Sequence, residues 1–231
     1  MRTTRPATRP TRLVTASRIV LGLGLAAAPA LALPVRAEAS PPLAEPSIFV
    51  CEGRPATIVG TNGSDVLVGT RGADVIVTLS GDDVVRAGGG HDLICLGPGA
   101  DTAYAGSGDD IVRGGTGGDN LKGDAGIDLL MGDGDGDAID GGTGGDYLYG
   151  GDGSDWLIGR QGADTFHGGS HKDTIDASFD DDASWDQVNG GSEDDLIFAD
   201  DGAATSDTVR GDGGTDDCWT DGVDLVFTCE L

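Results

Sequence analysis

The sequence predicts an all-β fold, a parallel β-solenoid whose short strands stack along one axis. The first observation behind this prediction is a nine-residue period that runs without insertion from Gly60 to Asp176. The second is the sixth position of the period, which is aspartate in all thirteen copies. The third is the eighth position, which is apolar in every copy, as Leu121 is in GGTGGDNLK (114–122). A repeat of this length indicates a stacked array in which each unit buries its apolar face against its neighbours.

Each nonapeptide divides into a turn and a strand. Six glycine-rich residues predict the turn, because glycine tolerates left-handed and closely approached backbone conformations. The last three residues, with the apolar one in the middle, predict a short strand whose central side chain points inward. Two nonapeptides then complete one coil of about eighteen residues, and the position-eight side chains stack between two parallel sheets.

The aspartates of alternate repeats should form a column along each edge of this solenoid. Aspartates eighteen residues apart lie one rung apart, roughly 4.8 Å along the axis. Carboxylates at that spacing repel one another unless a cation lies between them. Ca²⁺ takes six to eight oxygen ligands, and carboxylates with turn carbonyls can supply them. The alternative is that each aspartate caps its own turn, which leaves the charge of the column unbalanced. The position-six residues are Asp65, Asp74, Asp83, Asp92, Asp101, Asp110, Asp119, Asp128, Asp137, Asp146, Asp155, Asp164 and Asp173.

The composition agrees with a cation-binding protein. The 231 residues carry 40 Asp and Glu against 14 Lys and Arg, a formal net charge of −26, and only 5% of the residues are aromatic. Such a chain buries too little apolar surface to fold easily without a counter-charge. Nucleic acid is a poor partner, because binding phosphates requires a basic patch.

The repeated pattern GGxGxDxUx, in which U is the apolar residue at position eight, resembles the calcium-binding nonapeptide repeat of the RTX (haemolysin-type) family. The resemblance implies a right-handed parallel β-roll, calcium held between turns, secretion, and folding coupled to calcium outside the cell. It also implies that the thirteen position-six aspartates are the side-chain ligands of Ca²⁺, with turn carbonyls completing the shell. Some turns depart from the pattern and are expected to be looser, with some of their sites empty. They are the turns with Thr78, Ala87, Leu96 and Ala105 at position one and those with Asp135 and His171 at position four.

The first 39 residues predict a secretory signal peptide. A basic region precedes an apolar stretch from Ile19 to Ala28, and small-residue cleavage sites follow at Ala30-Leu31-Ala32 or Ala37-Glu38-Ala39. A membrane anchor is the alternative, but the apolar stretch is short for a span. We therefore expect a secreted, extracellular protein with an N-terminal flank or cap at 40–59, the regular roll at 60–176, and degenerate repeats with a C-terminal cap at 177–231.

The four cysteines predict two disulfides in an exported protein. Four cysteines allow three pairings. Their grouping at the two ends of the repeat array favours Cys51–Cys95 and Cys218–Cys229.

No catalytic residue is predicted, and the protein is expected not to be an enzyme. The sequence contains neither an HExxH zinc motif nor a GxSxG nucleophile motif. Its three histidines, His91, His167 and His171, all fall inside repeats. The twenty or so residues between the predicted signal and Gly60 are too few for a catalytic domain.

One outward face of the roll is unusually apolar, at Val75, Leu93, Ile111, Leu129 and Tyr147. Three interpretations are open: the β-propensity of these residues, cover by the chain's own segment 40–59, or a surface for a cell-surface or self-association partner. Separately, an extracellular adhesion or glycan-binding module that uses the roll as a scaffold is the alternative function, with Tyr104 and Trp156 as candidate contact residues.

Overall fold

The computed structural model describes residues 49–178, 184–200 and 206–229, and these residues form an all-β fold without a helix. The predicted signal peptide and the first part of the predicted flank lie outside the described residues. No helix long and apolar enough to cross a membrane occurs in the described ranges. The strands are β1 (Val50–Cys51), β2 (Arg54–Pro55), β3 (Ile58–Val59), β4 (Val66–Val68), β5 (Val75–Val77), β6 (Val84–Gly89), β7 (Leu93–Pro98), β8 (Thr102–Ser107), β9 (Ile111–Thr116), β10 (Asn120–Ala125), β11 (Leu129–Gly134), β12 (Ala138–Thr143), β13 (Tyr147–Asp152), β14 (Trp156–Gln161), β15 (Thr165–Ser170), β16 (Thr174–Asp176), β17 (Gln187–Ser192), β18 (Leu196–Ala199), β19 (Thr208–Gly213), β20 (Asp217–Thr220) and β21 (Leu225–Phe227).

The strands alternate between two parallel sheets, which confirms the predicted β-roll. Even-numbered strands from β4 to β20 form a nine-stranded sheet, and odd-numbered strands from β3 to β21 form a ten-stranded sheet. Neighbours in the regular part are offset by eighteen residues, so Leu121 of β10 pairs with Ala103 of β8 and with Ile139 of β12. One coil of the roll is therefore two nonapeptides.

The regular strands are six residues long, twice the predicted length. From β6 to β15 each strand runs from position seven of one repeat to position three of the next. The prediction was too short because it assigned every glycine-rich residue to the turn. In the structure positions one to three continue the ladder, as the pairing of Asp124 with Gly106 and Gly142 shows.

This longer strand places two positions of each repeat on the inner face. Position eight forms the expected core column, in which residues such as Leu121, Leu148 and Phe166 are fully buried. Position one also faces inward, because side chains two apart on a strand share a face. Where position one is not glycine its side chain joins the core, and those residues are Thr78, Ala87, Leu96 and Ala105, all fully buried.

The change of spacing after Asp176 does not interrupt the sheets. Thr174 of β16 pairs with Leu196 of β18, and Thr165 of β15 pairs with Gln187 of β17. These partners are twenty-two residues apart instead of eighteen, so strand pairing continues in both sheets after four additional residues. The degenerate repeats are thus structural continuations of the roll.

The chain covers part of its own apolar face. The antiparallel β1–β2 pair lies against the ten-stranded sheet, and Cys51 packs with Val75, Val77 and Leu93 in a second apolar cluster. A disulfide joins Cys51 to Cys95. The chain's own first residues therefore cover the N-terminal part of the apolar face, whereas Tyr147 further along is 46% exposed.

At the other end a second disulfide joins Cys218 and Cys229, so both cysteine pairs are those favoured from the sequence.

Candidate metal sites along the aspartate columns

The position-six aspartates form two continuous columns, one for each sheet. In each column the backbone N–H of one aspartate donates a hydrogen bond to Oδ1 of the aspartate eighteen residues later. Asp101 donates in this way to Asp119 at 2.8 Å, and Asp119 donates to Asp137 at 2.7 Å. From Asp65 to Asp173 these hydrogen bonds measure 2.6–2.9 Å. The structure therefore brings together the predicted pairs of aspartates.

Both columns continue past the regular repeats. Asp173 donates to Oδ1 of Asp195, which donates to Oδ1 of Asp216. In the other column Asp164 donates to Asp186, and Asp186 donates to Asp207. The predicted ligand set left these four residues out because the period breaks after Asp176. The surviving nine-residue spacings, from Asp186 to Asp195 and from Asp207 to Asp216, were the signal that could have found them.

The second oxygen of most of these carboxylates is buried without a hydrogen-bond partner among the described residues. A buried acceptor without a partner is costly, and a buried carboxylate without a counter-charge is costlier. Such a recurring group indicates a ligand that the polypeptide itself does not supply. These oxygens are Oδ2 of Asp83, Asp92, Asp101, Asp110, Asp119, Asp128, Asp137, Asp146, Asp155, Asp173, Asp195 and Asp216.

Glycine at position one keeps the space beside this oxygen open. A β-carbon at Gly141 would lie 2.5 Å from Oδ2 of Asp146 and 2.9 Å from the carbonyl oxygen of Gly159. A carboxylate oxygen and a carbonyl oxygen from successive rungs therefore face the same small space, and both are ligand types that Ca²⁺ prefers. In the described part of the chain no three His, Cys, Asp or Glu side chains are gathered in one place. A cation here would accordingly depend on backbone carbonyls as well as on carboxylates.

Burial raises the pKa of the aspartates in the middle of the roll. The pKa rises from an ordinary 3.8 to about 7 for Asp110, Asp119, Asp128 and Asp137. Loss of hydration is the largest cause, the hydrogen bond from the previous rung opposes it, and neighbouring carboxylates add to it. A cation beside these groups would favour the ionised form instead.

The first two repeats of the columns are different. Oδ2 of Asp65 accepts hydrogen bonds from the backbone N–H and the hydroxyl of Thr61, at 2.6 Å and 2.9 Å. Oδ2 of Asp74 accepts the same pair from Thr70, at 2.7 Å and 2.9 Å. Both residues belong to the predicted ligand set, but their second oxygen is already satisfied by the protein.

The two turns without glycine at position four also have a positive φ at that position. Asp135 and His171 have φ angles of +71° and +76°, in the left-handed region that glycine occupies at this position in neighbouring turns. Each is held by a neighbouring rung. Asp135 accepts a hydrogen bond from the N–H of Gly117 at 3.0 Å, and Nδ1 of His171 lies 3.1 Å from a carboxylate oxygen of Asp152.

The comparison with known families agrees with this geometry. The family model for the RTX calcium-binding nonapeptide repeat matches four copies, at residues 59–94, 97–121, 113–148 and 149–183. A search of curated proteins finds no match. The family is a structural calcium-binding repeat and not a class of enzymes, and its matches cover more than half of the chain. The periodic sequence, the parallel roll and the matched repeats together show that this chain belongs to the RTX calcium-binding nonapeptide repeat family.

Proposed function

We propose that this protein is a secreted, non-enzymatic calcium-binding β-roll that folds when Ca²⁺ enters the spaces between successive rungs. The observation that carries the proposal is the row of buried Oδ2 atoms without hydrogen-bond partners. A divalent cation supplies the counter-charge and the missing contacts at once. The function proposed for the whole mature chain is calcium binding.

The side-chain ligands in this proposal are the position-six aspartates predicted from the sequence. The continuation of both columns adds Asp186, Asp195, Asp207 and Asp216 to the candidates. Asp65 and Asp74 are the weakest members of the set, since threonines already satisfy their second oxygens. We retain 60–176 as the regular roll and 177–231 as a degenerate continuation with a C-terminal cap.

Calcium and folding are linked in this proposal by mass action. A ligand that binds only the folded chain stabilises it in proportion to the logarithm of its free concentration. Without calcium, the columns place unpaired buried carboxylates in successive rungs and oppose folding. The chain is then expanded where calcium is scarce and folds where calcium is abundant.

The test uses the signal-free chain in excess chelator and in millimolar calcium. Circular dichroism should show strand signal that increases on adding calcium, and calorimetry should give several calcium ions bound per chain. Magnesium serves as the control ion, because it demands an octahedral shell and dehydrates reluctantly. A protein that is compact in excess chelator and takes up no calcium would contradict the proposal.

Secretion rests on the predicted signal peptide and on the two disulfides, which persist in oxidising compartments. Expression of the full-length chain in a secreting host should yield extracellular protein that begins after Ala32, Ala37 or Ala39. Retention in the cell with an intact N-terminus would contradict this part of the proposal.

A second candidate function is contact with a glycan or a cell surface, or self-association, through the part of the apolar face that the chain leaves open. Tyr147 and Tyr149 on β13 are 46% and 37% exposed, and His167 stacks on Tyr149 with ring centroids 4.8 Å apart. Flat exposed rings of this kind can pack against sugar rings or a partner chain. Retention on immobilised polysaccharides, or a larger mass in solution, would support this function if Tyr149→Ala abolishes it. If Trp156→Ala abolishes it instead, the contact lies on the opposite sheet, where Tyr104 and Trp156 are the candidate residues.

A further inference from the structure

We infer that the coils formed by residues 49–113 fold without calcium and provide the edge on which the later repeats stack when calcium binds. The inference rests on the proposed coupling of calcium to folding, and it assigns that coupling to the repeats after Arg113. Four features of the first coils replace the stabilisation that a cation gives elsewhere.

The first feature is the threonine closure of the first two turns. The hydroxyl and the N–H of Thr61 and Thr70 satisfy the Oδ2 atoms of Asp65 and Asp74. The second carboxylate oxygen in each of these two turns is therefore satisfied within the protein. In the repeats from Asp83 to Asp155 no threonine occupies position two, and Oδ2 of the aspartate is buried without a hydrogen-bond partner among the described residues.

The second feature is a denser core. In the four repeats from Thr78 to Arg113, position one carries a side chain that is fully buried, which places two inward side chains in each repeat. Leu96 is the largest of them, and the hydroxyl of Thr78 donates to its carbonyl oxygen. In the seven regular repeats from Gly114 onward, position one is always glycine, so only position eight fills the core. The first coils therefore bury more apolar surface for each residue ordered.

The third feature is a second apolar layer outside the ten-stranded sheet. Strand β5 is buried on both faces, because Ile76 points to the core while Val75 and Val77 lie beneath the β1–β2 pair. Leu79 has a φ of +84°, which is strained for a leucine, and it also packs against this layer. Tyr147, four coils further along the same face, is exposed.

The fourth feature is a set of long-range ties that do not involve a metal. The Cys51–Cys95 disulfide closes a segment with a sequence separation of 44 and fixes the outer layer to β7. The guanidinium of Arg113 on β9 lies 2.6 Å from a carboxylate oxygen of Glu52, so the outer layer is also tied to the last strand of the proposed unit. Arg113 reaches Asp133 on β11 as well, at 2.8 Å.

Part of the aspartate column in this unit does not oppose folding, since Thr61 and Thr70 satisfy the second oxygens of two of its six aspartates. Asp83, Asp92, Asp101 and Asp110 keep a buried oxygen without a partner, and the doubled core lies directly beside them. In a solenoid each repeat contacts only its neighbours, so a stable end can persist while the adjoining repeats are unfolded. The exposed edges of β8 and β9 then template the pairing of β10 and β11, which removes the nucleation step from calcium-driven folding.

The test is hydrogen exchange with mass spectrometry on the full signal-free chain, in excess chelator and in calcium. In chelator the amides of β5–β9 should exchange at least about tenfold more slowly than those of β10–β15, and calcium should then protect β10–β15. Protection of both regions in chelator would overturn the inference and the proposed folding on calcium. Protection of neither region in chelator, with both protected in calcium, would overturn the inference alone.

Variants identify the origin of the protection. A triple variant that combines Cys51→Ala, Cys95→Ala and Thr70→Val should lose the protection of β5–β9 in chelator. Calcium-dependent folding of β10–β15 should remain measurable in it. The matched control, Cys218→Ala with Cys229→Ala, should leave β5–β9 protected in chelator. Equal loss in the variant and in the control, or no loss in the variant, would contradict the inference.

Discussion

The backbone N–H of Asp119 donates a hydrogen bond to Oδ1 of Asp137 at 2.7 Å, one rung further along the roll. This contact divides the two oxygens of the carboxylate between two tasks. Oδ1 holds the previous rung, whereas Oδ2 is buried without a partner among the described residues. Because the same division recurs along both columns, removing one carboxylate affects both the stacking of rungs and the candidate calcium site.

Substituting Asp128 by Asn tests that division. The amide keeps an oxygen that can accept from the N–H of Asp110, but it removes the charge proposed to bind calcium. We expect at least one calcium ion fewer per chain and an apparent affinity about tenfold weaker, since charge-assisted contacts contribute roughly 1.5–3 kcal/mol. Calorimetry on the signal-free chain is the measurement.

Asp124→Asn is the matched control for this substitution. Asp124 is exposed, and its φ of +69° is a conformation that asparagine tolerates. The Asp124→Asn substitution should leave both the number of calcium ions bound per chain and their affinity unchanged. Equal effects of the two substitutions would mean that overall charge, and not the column, governs calcium binding.

Adding a single methyl group at Gly141 should disrupt one candidate site from within. The new β-carbon of Gly141→Ala meets Oδ2 of Asp146 and the carbonyl oxygen of Gly159 at contact distances shorter than atoms tolerate. We expect the midpoint of calcium-dependent folding to move to higher calcium, with a loss of about 1–3 kcal/mol from overpacking. Gly72→Ala is the control, because a β-carbon at Gly72 would have no neighbour within 4 Å. If both variants shift the midpoint of calcium-dependent folding equally, crowding of Asp146 by the new β-carbon is not the cause.

Acid should partly replace calcium in the chelated protein. Burial raises the pKa of Asp110, Asp119, Asp128 and Asp137 from 3.8 to about 7 in the folded chain, so the folded state binds more protons than the unfolded state between these values. Stability without calcium is therefore greatest near pH 4 and falls as the pH rises towards 7.

Circular dichroism in chelator across this range should show strand signal that is lost with rising pH. Calcium binding near pH 6 should also release protons, which calorimetry in buffers of different ionisation enthalpy detects. Strand signal that grows with pH in chelator would refute the raised pKa values.

The two halves of the apolar face should respond differently to charge. Ile111 packs against the covered layer, so Ile111→Asp buries a charge beside Cys51 and Leu93 and should cost about 2 kcal/mol or more. Leu129 occupies the equivalent position one rung later, outside that layer, and Leu129→Asp should cost less than about 1 kcal/mol. Thermal unfolding in calcium compares the two. A larger loss for Leu129→Asp would show that its side of the face is covered by a partner chain, which solution mass would then reveal.

The nine-residue period was sufficient to predict the class of fold and its connectivity. A fixed aspartate and a fixed apolar residue in each repeat predict that alternate repeats stack in parallel and bury the apolar column between two sheets. The pairing of Leu121 with Ala103 and Ile139 follows directly from that period. The extent of each strand did not follow, because glycine at positions one to three suits a turn and an extended strand equally well.

The sequence was sufficient to predict which aspartates form the candidate sites. It was not sufficient to predict which of their oxygens the protein satisfies by itself. The aspartates could be named from their spacing, whereas the satisfied oxygens of Asp65 and Asp74 depend on where Thr61 and Thr70 lie after the turn has closed. The continuation through Asp195 and Asp216 was hidden by the change of spacing after Asp176, across which the aspartate contacts persist.

The sequence alone determined the class of architecture, since one apolar residue in nine can be buried along the whole chain when successive repeats stack on one another. Only the tertiary structure decided which carboxylate oxygens are satisfied, which repeats have a doubled core, and how much of the apolar face the first residues cover. Some of those outcomes depend on contacts within one turn, such as Thr61 with Asp65, and the others on contacts between residues eighteen or more positions apart. The distance and direction of such contacts are fixed only when successive rungs have stacked.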